Sequence, residues 1–206
     1  MTIPKVKICG ITRVGDALAA VEAGADALGF MFYRASKRHI DLESAAEIIR
    51  ALPPFISRAG VFVDADAGFV ERAIRICGLD TLQFHGAESP AFCDQFLPLK
   101  IVKAFRIRDR ASLQELPAYH TNAWLLDSYV AGQKGGTGQK FNWDLALNAK
   151  AMGTPIILAG GLTPENVRAA VTQVAPYGLD VASGVETQPG QKDPELVRAF
   201  VSLAKG

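Results

Sequence analysis

Two residues with reactive side chains stand directly after short apolar stretches of the sequence. Cys9 follows Val6-Lys7-Ile8 and precedes Gly10, and Asp127 follows Leu125-Leu126. A thiol that has lost its proton can act as a base, and a carboxyl group can donate or accept a proton. If both stretches are strands that open on one pocket, Cys9 and Asp127 are a candidate base and acid for a single substrate.

The rest of the sequence alternates predicted strands and predicted helices. Short stretches rich in β-branched or aromatic residues predict eight strands: Lys5–Cys9, Ala27–Phe32, Ser57–Val63, Thr81–Phe84, Ile101–Phe105, Ala123–Leu126, Pro155–Ala159 and Leu179–Ala182. Apolar residues with helical spacing predict helices between them: Gly15–Ala23, Leu42–Leu52, Gly68–Cys77, Ser89–Phe96, Ala111–Leu116, Trp143–Lys150, Pro164–Val174 and Asp193–Ala204. This order predicts an α/β fold, a single (β/α)8 TIM barrel of eight parallel strands over residues 1–206, with a doubly wound open sheet as the alternative.

The connecting segments predict which end of the barrel carries the chemistry. Connections from helix to strand are short, as in Gly24–Asp26, whereas connections from strand to helix are longer and carry Gly, Arg, Lys, His and Asp. Barrel enzymes build their active sites at the C-terminal ends of the strands. Cys9 and Asp127 end strands one and six, so a barrel would direct both side chains into one pocket.

Composition argues against several classes of protein. The 206 residues are 49% hydrophobic and 21% charged, and 22 basic residues against 21 acidic ones leave a net charge of +1. This balance gives no electrostatic footprint for nucleic acid or an anionic membrane. Three cysteines without a Cys-x-x-Cys pair argue against a disulfide framework and a structural zinc site, and no apolar run reaches the length of a membrane span. We expect a cytoplasmic monomer without a metal.

Glycines near the end of the sequence predict a phosphate site. Predicted strand seven runs into Gly160-Gly161, and predicted strand eight runs into Ser183-Gly184. Backbone N–H groups in such turns and at helix N-termini bind anions, and the loops after strands seven and eight are the usual phosphate site of a barrel. We therefore expect a small phosphorylated substrate, the alternative being that these glycines only turn the chain.

Motifs along essentially the whole sequence resemble one family. The segments that carry the resemblance are Lys7–Thr12, Gly29–Phe32, Ser36–Arg38, Gly60–Val63, Gln83–Gly86, Leu125–Ser128, Gly135–Gly138, Ala159–Leu162 and Ser183–Glu186. Together they closely resemble phosphoribosylanthranilate isomerases. The resemblance implies a (β/α)8 barrel that catalyses an Amadori rearrangement in tryptophan biosynthesis, from N-(5′-phosphoribosyl)anthranilate to 1-(2-carboxyphenylamino)-1-deoxy-D-ribulose 5-phosphate, without a cofactor.

The resemblance also implies roles for individual residues. By the family pattern Cys9 is the general base, Asp127 is the general acid, and Arg38 binds the anthranilate carboxylate. Lys37 stands where the family usually has proline, so we expect a looser loop before Arg38, and the alternative is a solvated arginine. The glycine-rich stretch from Asp127 to Trp143 is interpreted as a lid over the site.

Other polar residues have more than one interpretation. His85 ends strand four and either lines the pocket or is structural, and Asp64 is either a partner at the mouth of the barrel or the N-cap of the third helix. Asp180, near the start of strand eight, is expected at the opposite, N-terminal face of the barrel. Cys77 and Cys93 fall on helices among apolar residues and are expected to pack there.

Two alternative functions remain open at this point. One is a different phosphosugar enzyme on the same barrel, either a lyase with a Schiff base on Lys103 or an isomerase of histidine biosynthesis that uses two carboxylates. The other is a phosphate-binding protein without catalysis, which would keep the turns at Gly160 and Gly184 but would need neither Cys9 nor Asp127.

Overall fold

Eight parallel strands close into a barrel in the computed structural model, which describes residues 3–127 and 143–206. The strands are β1 Lys5–Cys9, β2 Ala27–Met31, β3 Ser57–Phe62, β4 Thr81–Phe84, β5 Lys100–Arg106, β6 Ala123–Asp127, β7 Ile156–Ala159 and β8 Gly178–Val181. Each strand pairs with the next along the chain, and β8 pairs with β1, where Asp180 lies beside Lys7. The predicted barrel is therefore confirmed, and the pairing of the first strand with the last excludes an open sheet.

Helices cover the outside of the barrel. Within the described residues they are α1 Val14–Glu22, α2 Leu42–Arg50, α3 Ala67–Cys77, α4 Pro90–Asp94, α5 Trp143–Lys150, α6 Pro164–Val174 and α7 Pro194–Lys205. Side chains before the helices fix where several of them begin: the carboxylate of Asp66 accepts a hydrogen bond from the backbone N–H of Phe69 at 2.8 Å, which makes Asp66 the N-cap of α3. The alternative prediction that Asp64 caps this helix is wrong.

The predicted helix Ala111–Leu116 is also wrong. Two 3-10 turns, Ala111–Leu113 and Leu116–Ala118, replace it. Pro117 explains the break, because it has no backbone N–H to donate into an α-helix and its ring disfavours the helical conformation of the residue before it. The carboxylate of Asp109 instead accepts hydrogen bonds from the backbone and side chain of Ser112, each at 2.9 Å.

Alternation along the strands separates an outer core from the barrel interior. Large apolar side chains of the strands point outward into a continuous layer beneath the helices, including Ile8, Leu28, Phe30, Phe62 and Phe84, and Phe200 of α7 joins this layer from the helix side. A second, small apolar cluster lies inside the barrel: Val102, Ala104, Ala123, Leu125 and Ala159. Buried polar side chains, among them Lys7, Gln83 and Asp180, are described below with the site.

A short hairpin that the sequence analysis missed follows β8. After a 3-10 turn at Ser183–Val185, strands β9 Glu186–Gln188 and β10 Gln191–Lys192 pair in antiparallel fashion. The hairpin lies against the loop after β1, because the hydroxyl of Thr12 donates to the carbonyl oxygen of Gly190 at 2.5 Å. It therefore joins the end of β8 to the end of β1 at the C-terminal face of the barrel.

Candidate active site

Cys9 lies at the C-terminal end of β1 with its side chain directed into the barrel. Val6 and Ile8 belong to the outer core, so alternation turns Lys7 and Cys9 inward. Cys9 is only 6% exposed. Burial raises the pKa of its thiol, whereas the ammonium groups of Lys7 and Lys192 act in the opposite direction. The predicted base is thus a buried thiol next to positive charge.

A buried ion pair lies below Cys9 inside the barrel. The ammonium of Lys7 contacts a carboxylate oxygen of Asp180 at 2.9 Å, and the two side chains are 10% and 8% exposed. Asp180 is within β8, paired with Lys7 of β1. The expectation that Asp180 lies at the opposite face, away from the site, is therefore corrected: its carboxylate reaches the lysine that flanks the candidate base.

Asp127 lies at the end of β6 and forms a hydrogen-bonded chain with His85, which directly follows β4, and with Gln83, which lies within β4. His85 Nε2 is 3.3 Å from Asp127 Oδ2, and Gln83 Nε2 is 3.0 Å from His85 Nδ1. Gln83 and Asp127 thus hold the imidazole ring of His85 from its two nitrogen atoms. The structure places His85 beside the candidate acid, and its part in lining a substrate pocket stays a prediction.

Arg38 crosses the end of β1. A Cβ added at Gly10 would lie 2.5 Å from Arg38 Cδ, and the φ of Gly10 is +78°, so glycine is needed there for two reasons. The guanidinium donates from Nε and Nη2 to both carboxylate oxygens of Glu186 at 2.6–3.0 Å. This contact leaves the outer edge of the guanidinium, formed by its two terminal nitrogens, directed away from Glu186.

The loop before Arg38 is held despite the lysine at position 37. The backbone N–H of Arg38 donates to the hydroxyl of Ser36 at 3.1 Å, and His39 pairs with Met31 beside β2. With its side chain fixed on Glu186, Arg38 is about one quarter exposed rather than freely solvated. Arg38 is thus not the solvated arginine of the alternative prediction, and the expectation of a looser loop stays a prediction.

Glu186 is itself held by a buried lysine. The ammonium of Lys192 donates to Glu186 at 2.8 Å, to the carbonyl oxygen of Cys9 at 2.5 Å and to that of Ala182 at 3.2 Å. Burial alone would raise the pKa of Glu186, but the hydrogen bonds from Arg38 and Lys192 lower it. Lys192 thus connects the ends of β1 and β8 with the carboxylate that orients Arg38.

The turns after β7 and β8 pack against each other. Gly160 and Gly161 have φ values of +80° and +69°, and a Cβ at Gly184 would overlap the carbonyl oxygen of Leu162. Ser183 and Gly184 begin the 3-10 turn that follows β8. The glycines predicted to bind phosphate therefore form one surface at the C-terminal face, with close backbone approach at Gly184 that a side chain would prevent.

Comparison with known proteins identifies the family. A family model described as N-(5′-phosphoribosyl)anthranilate (PRA) isomerase matches residues 6–203. A Geobacter sp. (strain M21) protein named N-(5′-phosphoribosyl)anthranilate isomerase is 56% identical over 201 residues, covering 98% of each chain. The chain belongs to this family. The prediction of an isomerase of this family, made from the motifs, is confirmed.

Solved structures of the family superpose closely on this chain. The Thermotoga maritima enzyme aligns with a TM-score of 0.94 at 39% identity, over 98% of this chain and 99% of the other. A structure in complex with reduced 1-(o-carboxyphenylamino)-1-deoxyribulose 5-phosphate aligns at 0.90 and 38% identity, with the same coverage. A third, described as mutually generated monomers of the dimeric Thermotoga maritima enzyme, aligns at 0.89 and 37% identity, again with that coverage.

Lys103 does not lie in the pocket of this family member. Its ammonium points away from the barrel interior, where it contacts Glu88 at 3.2 Å and the carbonyl oxygens of Phe84 and Gly86 at 3.3 and 2.8 Å. Glu88 in turn accepts hydrogen bonds from the backbone N–H groups of Asp64 and Gly86. Lys103 is only 2% exposed and fixes the loops after β3 and β4, so it is not placed to form a Schiff base with a substrate.

The predicted lid between Asp127 and Trp143 lies outside the described residues, except for those two end residues. Residues 3–127 and 143–206 contain no cluster of three or more His, Cys, Asp or Glu side chains that could hold a metal ion. No helix in the same ranges is long and apolar enough to cross a membrane.

Proposed function

We propose that this chain converts N-(5′-phosphoribosyl)anthranilate to 1-(2-carboxyphenylamino)-1-deoxy-D-ribulose 5-phosphate in tryptophan biosynthesis, with Cys9 as the general base and Asp127 as the general acid. The observation that carries the proposal is that Cys9 and Asp127 end β1 and β6 at one face of the barrel, where Arg38 crosses Gly10 beside Cys9. Family membership supports the same reaction.

The reaction needs one acid and one base. Asp127 gives a proton to the ring oxygen of the ribose as the C1′–O bond breaks, and the nitrogen lone pair forms an iminium at C1′. The iminium makes the C2′ proton acidic, and the thiolate of Cys9 removes it to give an enolamine. Tautomerisation of the enolamine, which moves a proton from the C2′ hydroxyl to C1′, yields the aminoketose.

His85 is proposed to line the substrate pocket beside the acid. Its Nε2 lies 3.3 Å from Asp127 Oδ2, and its Nδ1 lies 3.0 Å from the amide nitrogen of Gln83. Since Gln83 is only 2% exposed, the ring is held from the interior of the barrel. The carboxyl group of Asp127 is thereby oriented toward the pocket.

Arg38 is proposed to bind the anthranilate carboxylate. Glu186 occupies the edge of the guanidinium made by Nε and Nη2, which leaves the outer edge to bind a carboxylate through two hydrogen bonds. Glu186 also limits the rotation of the guanidinium plane. We infer that the amine of the substrate is oriented by this fixed fork and not by a flexible side chain.

The phosphate is proposed to bind at Gly160, Gly161, Ser183 and Gly184. These residues follow β7 and β8, the position at which barrels bind phosphate with backbone N–H groups and a short extra helix. The 3-10 turn at Ser183–Val185 occupies the place of that short helix. Binding the phosphate here puts the ribose between β1 and β6.

The decisive experiment measures the loss of anthranilate-type fluorescence when the purified protein meets phosphoribosylanthranilate with no metal or nucleotide added. We expect turnover by the unmodified protein and a loss of about 10²–10⁴-fold in kcat for Cys9→Ala and for Asp127→Asn. Cys93→Ala is the matched control, because it removes an equally buried thiol from a helix. Unchanged turnover in the Cys9 and Asp127 variants would contradict the assignment, and no turnover by the unmodified protein would contradict the function.

The remaining predictions concern assembly and location. We propose a monomer in the cytoplasm, whereas the Thermotoga maritima relative is described as dimeric. Light scattering after size-exclusion chromatography would show a mass of 22.0 kDa for a monomer and twice this value for a dimer.

A further inference from the structure

We propose that Lys7, held in place by Asp180, is the counter-ion of the Cys9 thiolate and a positioning residue for the reaction, and that its positive charge offsets part of the cost of forming the thiolate inside the barrel. The inference rests on the proposed function, in which Cys9 acts as a base. It concerns two residues to which the family resemblance assigned no role.

The geometry brings the ammonium and the thiol together from one side. Lys7 and Cys9 are two residues apart on β1 and therefore share its inward face. A Cβ added at Gly29 on the neighbouring strand would lie 2.7 Å from Cys9 Sγ and 2.9 Å from Lys7 Nζ. Both groups therefore fill the space that glycine leaves on β2, and both are close to the same point.

Asp180 keeps the ammonium in this place. Its carboxylate contacts Lys7 Nζ at 2.9 Å across the contact between β1 and β8. Burial alone would lower the pKa of Lys7, but the charges of Asp180 and Cys9 raise it, so the lysine stays protonated at neutral pH. A buried lysine with neither a carboxylate nor a thiolate beside it would tend to lose its proton.

Four charged groups act on the thiol, namely Lys7, Asp180, Lys192 and Arg38. The pKa of Cys9 is raised, because burial and the carboxylate of Asp180 outweigh the ammonium groups of Lys7 and Lys192, which lower it. The guanidinium of Arg38 is also coupled to Cys9 by charge. Because Lys7 is the cation in side-chain contact with the thiol, its removal should have the largest effect on the thiolate fraction.

The role requires no proton transfer by Lys7. The thiolate takes the C2′ proton and becomes a thiol, the electron pair of the C–H bond forms the C1′–C2′ double bond, and the iminium nitrogen regains its lone pair. Lys7 keeps its protons throughout and acts on the reaction only through the charge of Cys9. It is thus distinct from the catalytic residues, which contact the reacting atoms.

The test measures how fast iodoacetamide alkylates Cys9 in the ligand-free protein as a function of pH, with the site of modification quantified by mass spectrometry. Burial raises the pKa of Cys77 and Cys93 to about 11, so these thiols report background reactivity in the same molecule. We expect Lys7→Met to raise the apparent pKa of Cys9 by at least about one unit, which lowers the alkylation rate at neutral pH about tenfold. Lys5→Met is the matched control, since Lys5 is an exposed lysine on the same strand.

A second variant separates an electrostatic role from a structural one. Asp180→Asn removes the negative charge that opposes the thiolate and frees Lys7 to turn toward sulfur, so we expect the pKa of Cys9 to fall. The two substitutions at one ion pair should therefore shift the alkylation profile in opposite directions. Shifts in the same direction, or no shift in Lys7→Met, would overturn the proposal.

Turnover supplies an independent readout. In Lys7→Met the acid limb of the pH profile of kcat/KM should move to higher pH, with activity recovered in alkaline solution, where the thiol ionises without help. If Lys7→Met fails to fold, Gly29→Ala tests the same contact, because the added Cβ would separate Cys9 Sγ from Lys7 Nζ. An unchanged alkylation profile in the Gly29→Ala variant would overturn the proposal. If the alkylation shifts appear but the unmodified protein does not convert phosphoribosylanthranilate, the proposed function fails while the charge pairing of Lys7 with Cys9 stands.

Discussion

Lys192 offers the sharpest test of how the site is held together. Its ammonium is buried, with a side chain only 1% exposed, and it donates to the carbonyl oxygens of Cys9 and Ala182 and to the carboxylate of Glu186. Lys192→Met keeps the length and most of the volume of the side chain but removes every donor. The two carbonyl groups at the ends of β1 and β8 then lose a charged partner.

The expected loss of stability follows from these contacts. Removing one partner of a buried ion pair costs about 3–5 kcal/mol, because the other charge stays buried. Glu186 keeps the guanidinium of Arg38, and methionine is easier to bury than an ammonium, so the lower end of that range is expected. A loss of about 3 kcal/mol in the free energy of unfolding moves the urea midpoint by about 1 M when the m-value is about 3 kcal/mol/M.

Urea unfolding followed by tryptophan fluorescence measures this loss, with Trp124 packed beneath the helices as a reporter. Lys150→Met is the matched control, because Lys150 also donates to two backbone carbonyl oxygens, at 2.9 and 2.7 Å, but is exposed to solvent. We expect the control to lose less than about 1 kcal/mol. An equal loss in the two variants, or a loss below about 1 kcal/mol for Lys192→Met, would refute the reasoning.

Three further predictions follow from single features of the site. Because the pKa of Glu186 is lowered, its ionised carboxylate contributes to stability above its ordinary pKa of 4.5, and this contribution is lost as pH falls through the folded-state pKa. In a plot of melting temperature against pH, Glu186→Gln should therefore reduce the fall in melting temperature at acid pH. Gly10→Ala should raise KM about tenfold with a smaller change in kcat, because its Cβ would displace Arg38; an unchanged KM would contradict this. Gly184→Ala, whose Cβ would overlap the carbonyl oxygen of Leu162, should weaken competitive inhibition by inorganic phosphate in steady-state assays, whereas unchanged inhibition would argue against a phosphate site there.

The fold could be predicted from the sequence because its signals are local. Each strand is a short apolar stretch, and predicted and observed strand ends differ by at most one residue. The positions of Cys9 and Asp127 at one face of the barrel could be predicted for the same reason, since a polar residue that ends a barrel strand lies at the active-site face. The helix expected at Ala111–Leu116 failed where Pro117 outweighed the apolar spacing.

The partners of the site residues could not be predicted in this way. Lys7 and Asp180 are 173 residues apart in the sequence, and only the closure of the barrel makes them neighbours. A signal for Lys7 was present, because alternation from Cys9 turns a lysine inward, where a charge needs a partner. Nothing local marks Glu186 as the partner of Arg38, which lies 148 residues away.

Both buried lysines of the site act at the contact between the first strand and the last. Lys7 binds Asp180 across the pairing of β1 with β8, and Lys192 connects the carbonyl oxygen of Cys9 with that of Ala182, just after β8. This contact joins residues that are far apart in sequence, so its entropic cost is met only when the intervening chain has folded. The charges of Lys7 and Lys192 that favour the Cys9 thiolate are therefore assembled by closure of the barrel, and a partly folded chain would lack them beside the thiol.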